Sequence, residues 1–476
     1  MTAKLRTVRF LAAALFLLGS TVPLAAQNAS SEAASSSGPA VVFHPNRPKP
    51  APPGDVSDPE TLLTPPPGFR IQRRNNFYRL DEKGGLYRWA STGHWSNYDE
   101  AEAGDYTLPD PLVLSSGDRV TDAKAWFEKR RPEIVRLYES EIYGKVPASA
   151  PPVTWHVISS ENDGATLTKE IFGQIADGPD RPAEQPAGAR GRGGRGGPIP
   201  APSISISLTL PANAKGPIPV IFGVRGSHTQ AVLDKGWGYG SVNTRNVQRD
   251  SADLSTLRTG VVGMTLKVGE SRLADEWGVL RAWAWGLSRA MDYLETDPHV
   301  DATQIALSGH SRGGKMVLLA AAMDERIAMV FPTCSGEMGA SVSRRDWGET
   351  IDDMAQLFAP HFAGNFTKYA GRWDDLPVDA HMLIALVAPR PVFLTGGTTD
   401  QWSDPKGQFE SAVGAGPVYR LLGKKDLGVT EMPAPDTPLV AGDLAFHEHT
   451  GGHTVTETEW DLFLEFADRY FEVRNQ

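Results

Sequence analysis

Hydrophobic and polar positions change rhythm several times along this chain. An apolar run from Phe10 to Leu18 follows Lys4, Arg6 and Arg9 and precedes small residues at Ala25-Ala26. That order predicts a secretory signal peptide over 1–26, with an apolar run too short to span a bilayer comfortably. Residues 27–65 are rich in Ala, Ser, Pro and Gly with few large apolar side chains. Such a segment cannot bury enough surface to offset the entropy of ordering, so it reads as a disordered lead-in. The composition turns globular near Pro67, and 66–476 reads as one domain. Within it, Ala123 to Tyr143 has helical spacing through Trp126, Ile134, Leu137 and Ile142, with Pro132 expected to divide it. Val153–Ile158 and Leu167–Ile175 read as strands. The alternation in SISISLTL predicts a half-exposed antiparallel strand.

After Gly216 the strands become short continuous apolar runs: Val220–Phe222, Val261–Met264, Ile305–Leu307, Met329–Phe331 and Pro391–Leu394. Between them lie helical patterns. One runs from Trp277 to Leu294 in steps of three and four, a second spans Met316–Met323, and Trp460–Phe471 forms a last one. Strands alternating with helices predict an α/β fold with a mainly parallel sheet covered on both faces.

The formal net charge is −10, and removal of residues 1–26 takes it to −13 because three cations and no acid are lost. No basic face is implied, which argues against nucleic acid as a partner. The RG and RGG repeats at about 177–202 lie between two strand-like runs and read as a flexible surface loop. The single cysteine, Cys334, excludes a disulfide framework and a cysteine-based zinc site. No cofactor, metal or later membrane-spanning segment is implied.

The chemistry starts at IALSGHSRGGK, residues 305–315. A Gly-x-Ser-x-Gly between a strand and a helix is a nucleophile elbow: the turn is sharp, and Ser311 is lifted above the sheet edge. The N–H of Arg312 then faces the place where a tetrahedral oxyanion forms. A serine hydroxyl needs a base, and the base needs an orienting acid, in the chain order Ser, acid, His for this fold. Asp400 lies after a short buried strand where the acid belongs, with Asp404 as competitor or as a cap of the next turn. Among His447, His449 and His453, the last is flanked by a Gly-rich loop before the final helix and is the expected base. A second oxyanion donor is expected in GVRGSH, residues 223–228.

These residues resemble the glucuronoyl esterases, carbohydrate esterase family 15, over roughly 100–475. The elbow is similar to that family's Gly-x-Ser-Arg-x-Gly-Lys at Ser311, Arg312 and Lys315. Glu349 in RRDWGET resembles a glutamate of its sugar site, Asp400 and Trp402 its bacterial Asp-x-Trp, and His453 its base. The resemblance implies an α/β-hydrolase fold and hydrolysis of the ester between 4-O-methyl-glucuronic acid of glucuronoxylan and lignin alcohols. The N-terminal pattern adds that the enzyme is exported, to the periplasm or the outside. Lys315, one helical turn from Ser311, and Glu349 would then meet sugar hydroxyls, Trp402 a pyranose face, and Arg312 the oxyanion. Fungal members place their acid just before a Ser-Gly pair. Here the residue before Ser335-Gly336 is Cys334, so Asp400 must orient His453 alone, with Glu337 a displaced substitute. Three other readings share parts of this pattern: a general acetyl or feruloyl esterase, a peptidase on the same fold, and an inactive exported polysaccharide-binding protein.

Overall fold

The computed structural model describes residues 78–80, 86–89, 95–176, 201–223, 228–266 and 271–473. The expected signal peptide, the lead-in and most of the Arg/Gly loop lie outside them. Three short strands come first, β1 (Tyr78–Leu80), β2 (Leu86–Trp89) and β3 (Trp95–Asn97), paired as an antiparallel sheet. The remaining strands are β4 (Val153–Asn162), β5 (Thr166–Ile175), β6 (Ser203–Pro211), β7 (Ile218–Gly223), β8 (Gly238–Asn243), β9 (Val300–His310), β10 (Met329–Thr333), β11 (Val392–Gly397) and β12 (Leu444–His449). They form one sheet in the order β12-β11-β10-β9-β7-β8-β6-β5-β4. From β12 to β8 all neighbours are parallel, whereas β6, β5 and β4 are antiparallel.

The two halves differ because their side-chain patterns differ. β6 alternates buried and half-buried positions, as a strand with one wet face must. β7, β10 and β11 are buried at every residue. On one face Val220, Ile305, Leu307 and Val330 join the core beneath helices Val279–Leu294, Arg312–Met323 and Pro405–Leu421. On the other, Ile221, Ala306, Met329 and Phe331 pack under helices Thr229–Asp234 and Glu457–Asp468. Phe331 stacks on Phe463 with ring centroids 4.3 Å apart, a contact of about 1 kcal/mol beyond area burial.

Two sequence expectations are corrected. Val261–Met264 is not a strand but part of a helix, Gly260–Thr265. A short buried apolar run fits either element, and the place beside β7 is held by β8. That strand is not among those expected from the sequence; it contains Gly238 and Gly240, where a Cβ would lie 2.4 Å from Leu210 and 2.2 Å from Phe222. Pro132 does not divide the first helix. It opens an α-helical stretch, Arg131–Leu137, that continues directly from a wide π turn at Trp126–Arg130. His447 and His449, the other candidate bases, sit in β12.

Candidate active site

β9 delivers Gly309 and His310 to the C-terminal edge of the sheet, and helix Arg312–Met323 begins at once. Ser311 between them has φ 59° and ψ −123°, a conformation that costs a non-glycine residue about 1–3 kcal/mol. The turn is held by the Ser311 N–H donating to Thr333 O at 2.9 Å and the Lys315 N–H to Ser311 O at 3.0 Å. A Cβ on Gly309 would stand 2.4 Å from Gly313 O, so the crossing permits only glycine there.

Asp400 follows β11 and His453 lies between β12 and the last helix. Although 53 residues apart, they meet: His453 Nδ1 and Asp400 Oδ2 are 2.7 Å apart. The carboxylate therefore accepts a hydrogen bond from the Nδ1–H, holding the proton on Nδ1 and leaving Nε2 as the basic nitrogen. His453 and Ser311 line the same cavity, of about 1090 Å³, together with Arg312. Ser311, His453 and Asp400 are thus brought to one place from three separate loops.

Cys334 sits beside this pair. Its sulfur and the ligating atoms of Asp400 and His453 all lie within 4.8 Å of one another, and the thiol donates to Thr454 O at 3.4 Å. Burial, then the negative charges of Asp400 and Glu459, push its thiol well above the usual range, so it is neutral and cannot serve as the acid. Glu337 is directed elsewhere. It is buried, its Oε1 has no hydrogen-bond partner, and burial followed by Asp379 raises its carboxyl well above normal.

The competing residues have structural partners. Asp404 caps helix Pro405–Leu421 through Gly407 N and pairs with Arg345, while burial raises it to about 6. His449 bonds Glu459 Oε1 at 2.8 Å and Gly452 O at 3.0 Å. Burial opposes its charge, but the bond to Glu459 wins and raises its pKa. His447 is buried next to the same Glu459.

Lys315 reaches from the first turn of its helix to Glu337 O and to Glu349 Oε2, the latter at 3.1 Å. Trp402 Nε1 donates to Glu349 Oε1, also at 3.1 Å. Lys315, Glu349 and Trp402 therefore form one chain, held by the loops after β10 and β11. Arg312 is half-exposed on the cavity wall. Its guanidinium pairs with Asp250 and lies 5.7 Å from the centre of the Phe358 ring. His361 Nε2 holds the other Asp250 oxygen at 2.9 Å. Burial alone would raise Asp250, but His361 and Arg312 keep it below the ordinary range. The sequence offered no signal for Asp250 or His361, which are distant from the elbow along the chain. His310 was equally unmarked: its ring packs 4.5 Å from that of His453, and burial, then His453, lower its pKa to about 4. Of the expected second oxyanion loop, residues 224–227 lie outside the described residues.

A family model for fungal glucuronyl esterases matches residues 200–423. Carbohydrate esterase MZ0003, from an unknown prokaryotic organism, is 34% identical over 420 residues, 79% of this chain and 92% of its own. A solved glucuronoyl esterase from Solibacter usitatus superposes with TM-score 0.69 at 37% identity, covering 78% of this chain and 99% of that one. The chain belongs to the glucuronoyl esterases of carbohydrate esterase family 15. It is a carboxylic ester hydrolase with an α/β-hydrolase fold. A 4-O-methyl-glucuronoyl methylesterase from Wolfiporia cocos is 28% identical, over 67% of this chain and 73% of its own. In this glucuronoyl esterase Ser311, Arg312 and His453 line one cavity, and Asp400 is bonded to His453.

Proposed function

We propose that this esterase cleaves the ester joining the carboxyl of 4-O-methyl-glucuronic acid on glucuronoxylan to a lignin alcohol. Ser311 Oγ attacks the uronoyl carbonyl and His453 Nε2 takes its proton, while Asp400 fixes the imidazole and stabilises the imidazolium. The oxyanion that forms is met by the Arg312 N–H and guanidinium. As the carbonyl re-forms, the alcohol leaves with the proton from His453. Water, deprotonated by His453, then attacks the glucuronoyl-serine, and as the acyl–oxygen bond breaks His453 returns that proton to Ser311 Oγ, releasing the uronic acid and free Ser311. The observation that carries this reading is the 2.7 Å His453–Asp400 bond beside the strained Ser311 elbow.

Lys315 and Glu349 present an ammonium and a carboxylate to vicinal sugar hydroxyls, and Trp402 adds an apolar plane. These three distinguish a uronoyl esterase from a general acyl esterase. The N-terminal pattern supports export after cleavage near Ala26. No helix among the described residues is long and apolar enough to cross a membrane.

The test is hydrolysis of benzyl glucuronate by wild type and Ser311→Ala. The variant is expected to lose at least 10³-fold in kcat/KM, and equal rates would end the serine mechanism. A parallel series of glucuronate, galacturonate and acetate esters separates uronoyl selectivity from general esterase activity: fastest turnover of acetate would favour the latter.

A further inference from the structure

Hydrolysis of a uronoyl ester changes the charge beside Ser311. The substrate ester is neutral, whereas the released acid gives its proton to solvent and stays behind as a carboxylate. Arg312 follows Ser311 directly and lines the same cavity. A bare guanidinium there would favour the oxyanion, and it would also hold the product. What sets the balance is the acid that Arg312 meets. This step rests on the function proposed above.

That acid is Asp250, on the loop after β8, which lines the cavity as well. Its carboxylate is shared: Oδ2 accepts from the Arg312 guanidinium, and Oδ1 lies 2.9 Å from His361 Nε2. Buried side chains fix both neighbours of that carboxylate. Gln248, two residues before Asp250, takes the Val262 N–H on Oε1 at 3.1 Å and donates from Nε2 to Thr256 O at 2.9 Å. The Trp283 indole donates to Gln248 O at 2.8 Å. His361 is buried and stacks on Phe358, with ring centroids 5.2 Å apart and planes 14° from parallel. Gln248 and His361 thus set the place of Asp250, and Asp250 sets that of Arg312. Burial, against the pull of Asp250, lowers the pKa of His361, so near neutral pH the imidazole adds no charge. The Arg312–Asp250 pair then sums to zero. The guanidinium keeps N–H donors that Asp250 does not use, so short hydrogen bonds to an oxyanion remain while the longer-range attraction for an anion is cancelled.

We propose that Asp250 positions Arg312 for the oxyanion and cancels the net charge that would otherwise retain the uronate product. Loss of the carboxylate then has two effects of opposite sign. An oxyanion needs a donor fixed in place, so turnover falls. A mobile, uncompensated cation can follow a ground-state carboxylate, so product binding tightens. Both partners stay partly in water, with side chains 48% and 26% exposed, which keeps the changes to about tenfold or less.

The experiment follows benzyl glucuronate hydrolysis with glucuronate and glucuronamide as inhibitors, in wild type, Asp250→Asn and Asp250→Glu. In wild type the two Ki values are expected within about threefold of each other, because the acid meets no net charge. Asp250→Asn should lower kcat roughly tenfold and tighten glucuronate roughly threefold to tenfold, with glucuronamide unchanged. Asp250→Glu restores the charge without the geometry, so its glucuronate Ki should return to the wild-type value while kcat stays reduced. A wild type that binds glucuronate more than about tenfold tighter than glucuronamide would overturn the inference without any variant. Unchanged or weaker glucuronate binding by Asp250→Asn together with a lower kcat would overturn it too, as the mark of a merely structural residue. An unchanged kcat in Asp250→Asn would overturn the positioning of Arg312. A wild type inactive on benzyl glucuronate would instead sink the uronoyl reading, and the inference with it.

Discussion

In the proposed mechanism Asp400 alone orients His453, because the neighbouring Cys334 thiol is held neutral. Asp400→Asn is expected to lower kcat for benzyl glucuronate by on the order of 10³–10⁴-fold with the fold intact, since an amide donor reverses the imidazole tautomer. Cys334→Ala should stay within about threefold, measured alongside. The sequence pointed to Asp400 and His453 for different reasons, and the structure brings the two together. Asp400 was marked by chain order and a preceding buried strand. His453 was chosen over His447 and His449 by its loop, and the structure gives those two a buried carboxylate, Glu459, instead of the site. Asp250 and His361 had no such mark. Their only relation to Arg312 is spatial, 62 residues from Asp250 and 49 from His361 along the chain.

At the scale of elements, two buried ion pairs tie loops to the frame. Lys315 and Glu349 are respectively 6% and 11% exposed in their side chains. Removing the ammonium strands a carboxylate in a poorly solvated place. Lys315→Met is expected to cost about 3 kcal/mol, read from the urea midpoint, and to raise KM more than it lowers kcat. The second pair joins β12 to the last helix through His449 and Glu459. A histidine with a raised folded pKa stabilises fully below its unfolded value, and that stability is lost as pH rises through the folded value. Glu459, lowered mainly by the two histidines against burial, contributes above its unfolded pKa and loses this as pH falls through its folded one. The two conditions overlap between roughly pH 4.5 and 6.5. The difference in Tm between wild type and His449→Gln is therefore expected to be largest near pH 5–6 and to narrow above about pH 7.

For the whole molecule, the N-terminal pattern makes a prediction of its own. Expressed with residues 1–26 in a bacterium, the protein is expected in the exported fraction with a new N-terminus near Gln27, read by intact mass. Retention in the membrane with Met1 present would mark an uncleaved anchor. Within the domain, alternation in β6 and apolar runs in β7, β9, β10 and β11 were enough to foresee an antiparallel extension on a parallel sheet. Side-chain period and burial leave their trace in local sequence. β8 and the helix Gly260–Thr265 left no such trace. Two glycines hide a strand whose neighbours fill the space of its missing side chains, and four apolar residues do not distinguish helix from strand. The elbow at Ser311 with Arg312 and Lys315 was marked by consecutive residues, and the candidates Asp400 and His453 by chain order after a buried strand and before the last helix. The support of Arg312 by Asp250 and the ring of His310 against His453 were decided by tertiary structure alone. They arise where strands and loops far apart in the chain are packed side by side, and strand order is set by the burial of the whole sheet rather than by any one segment.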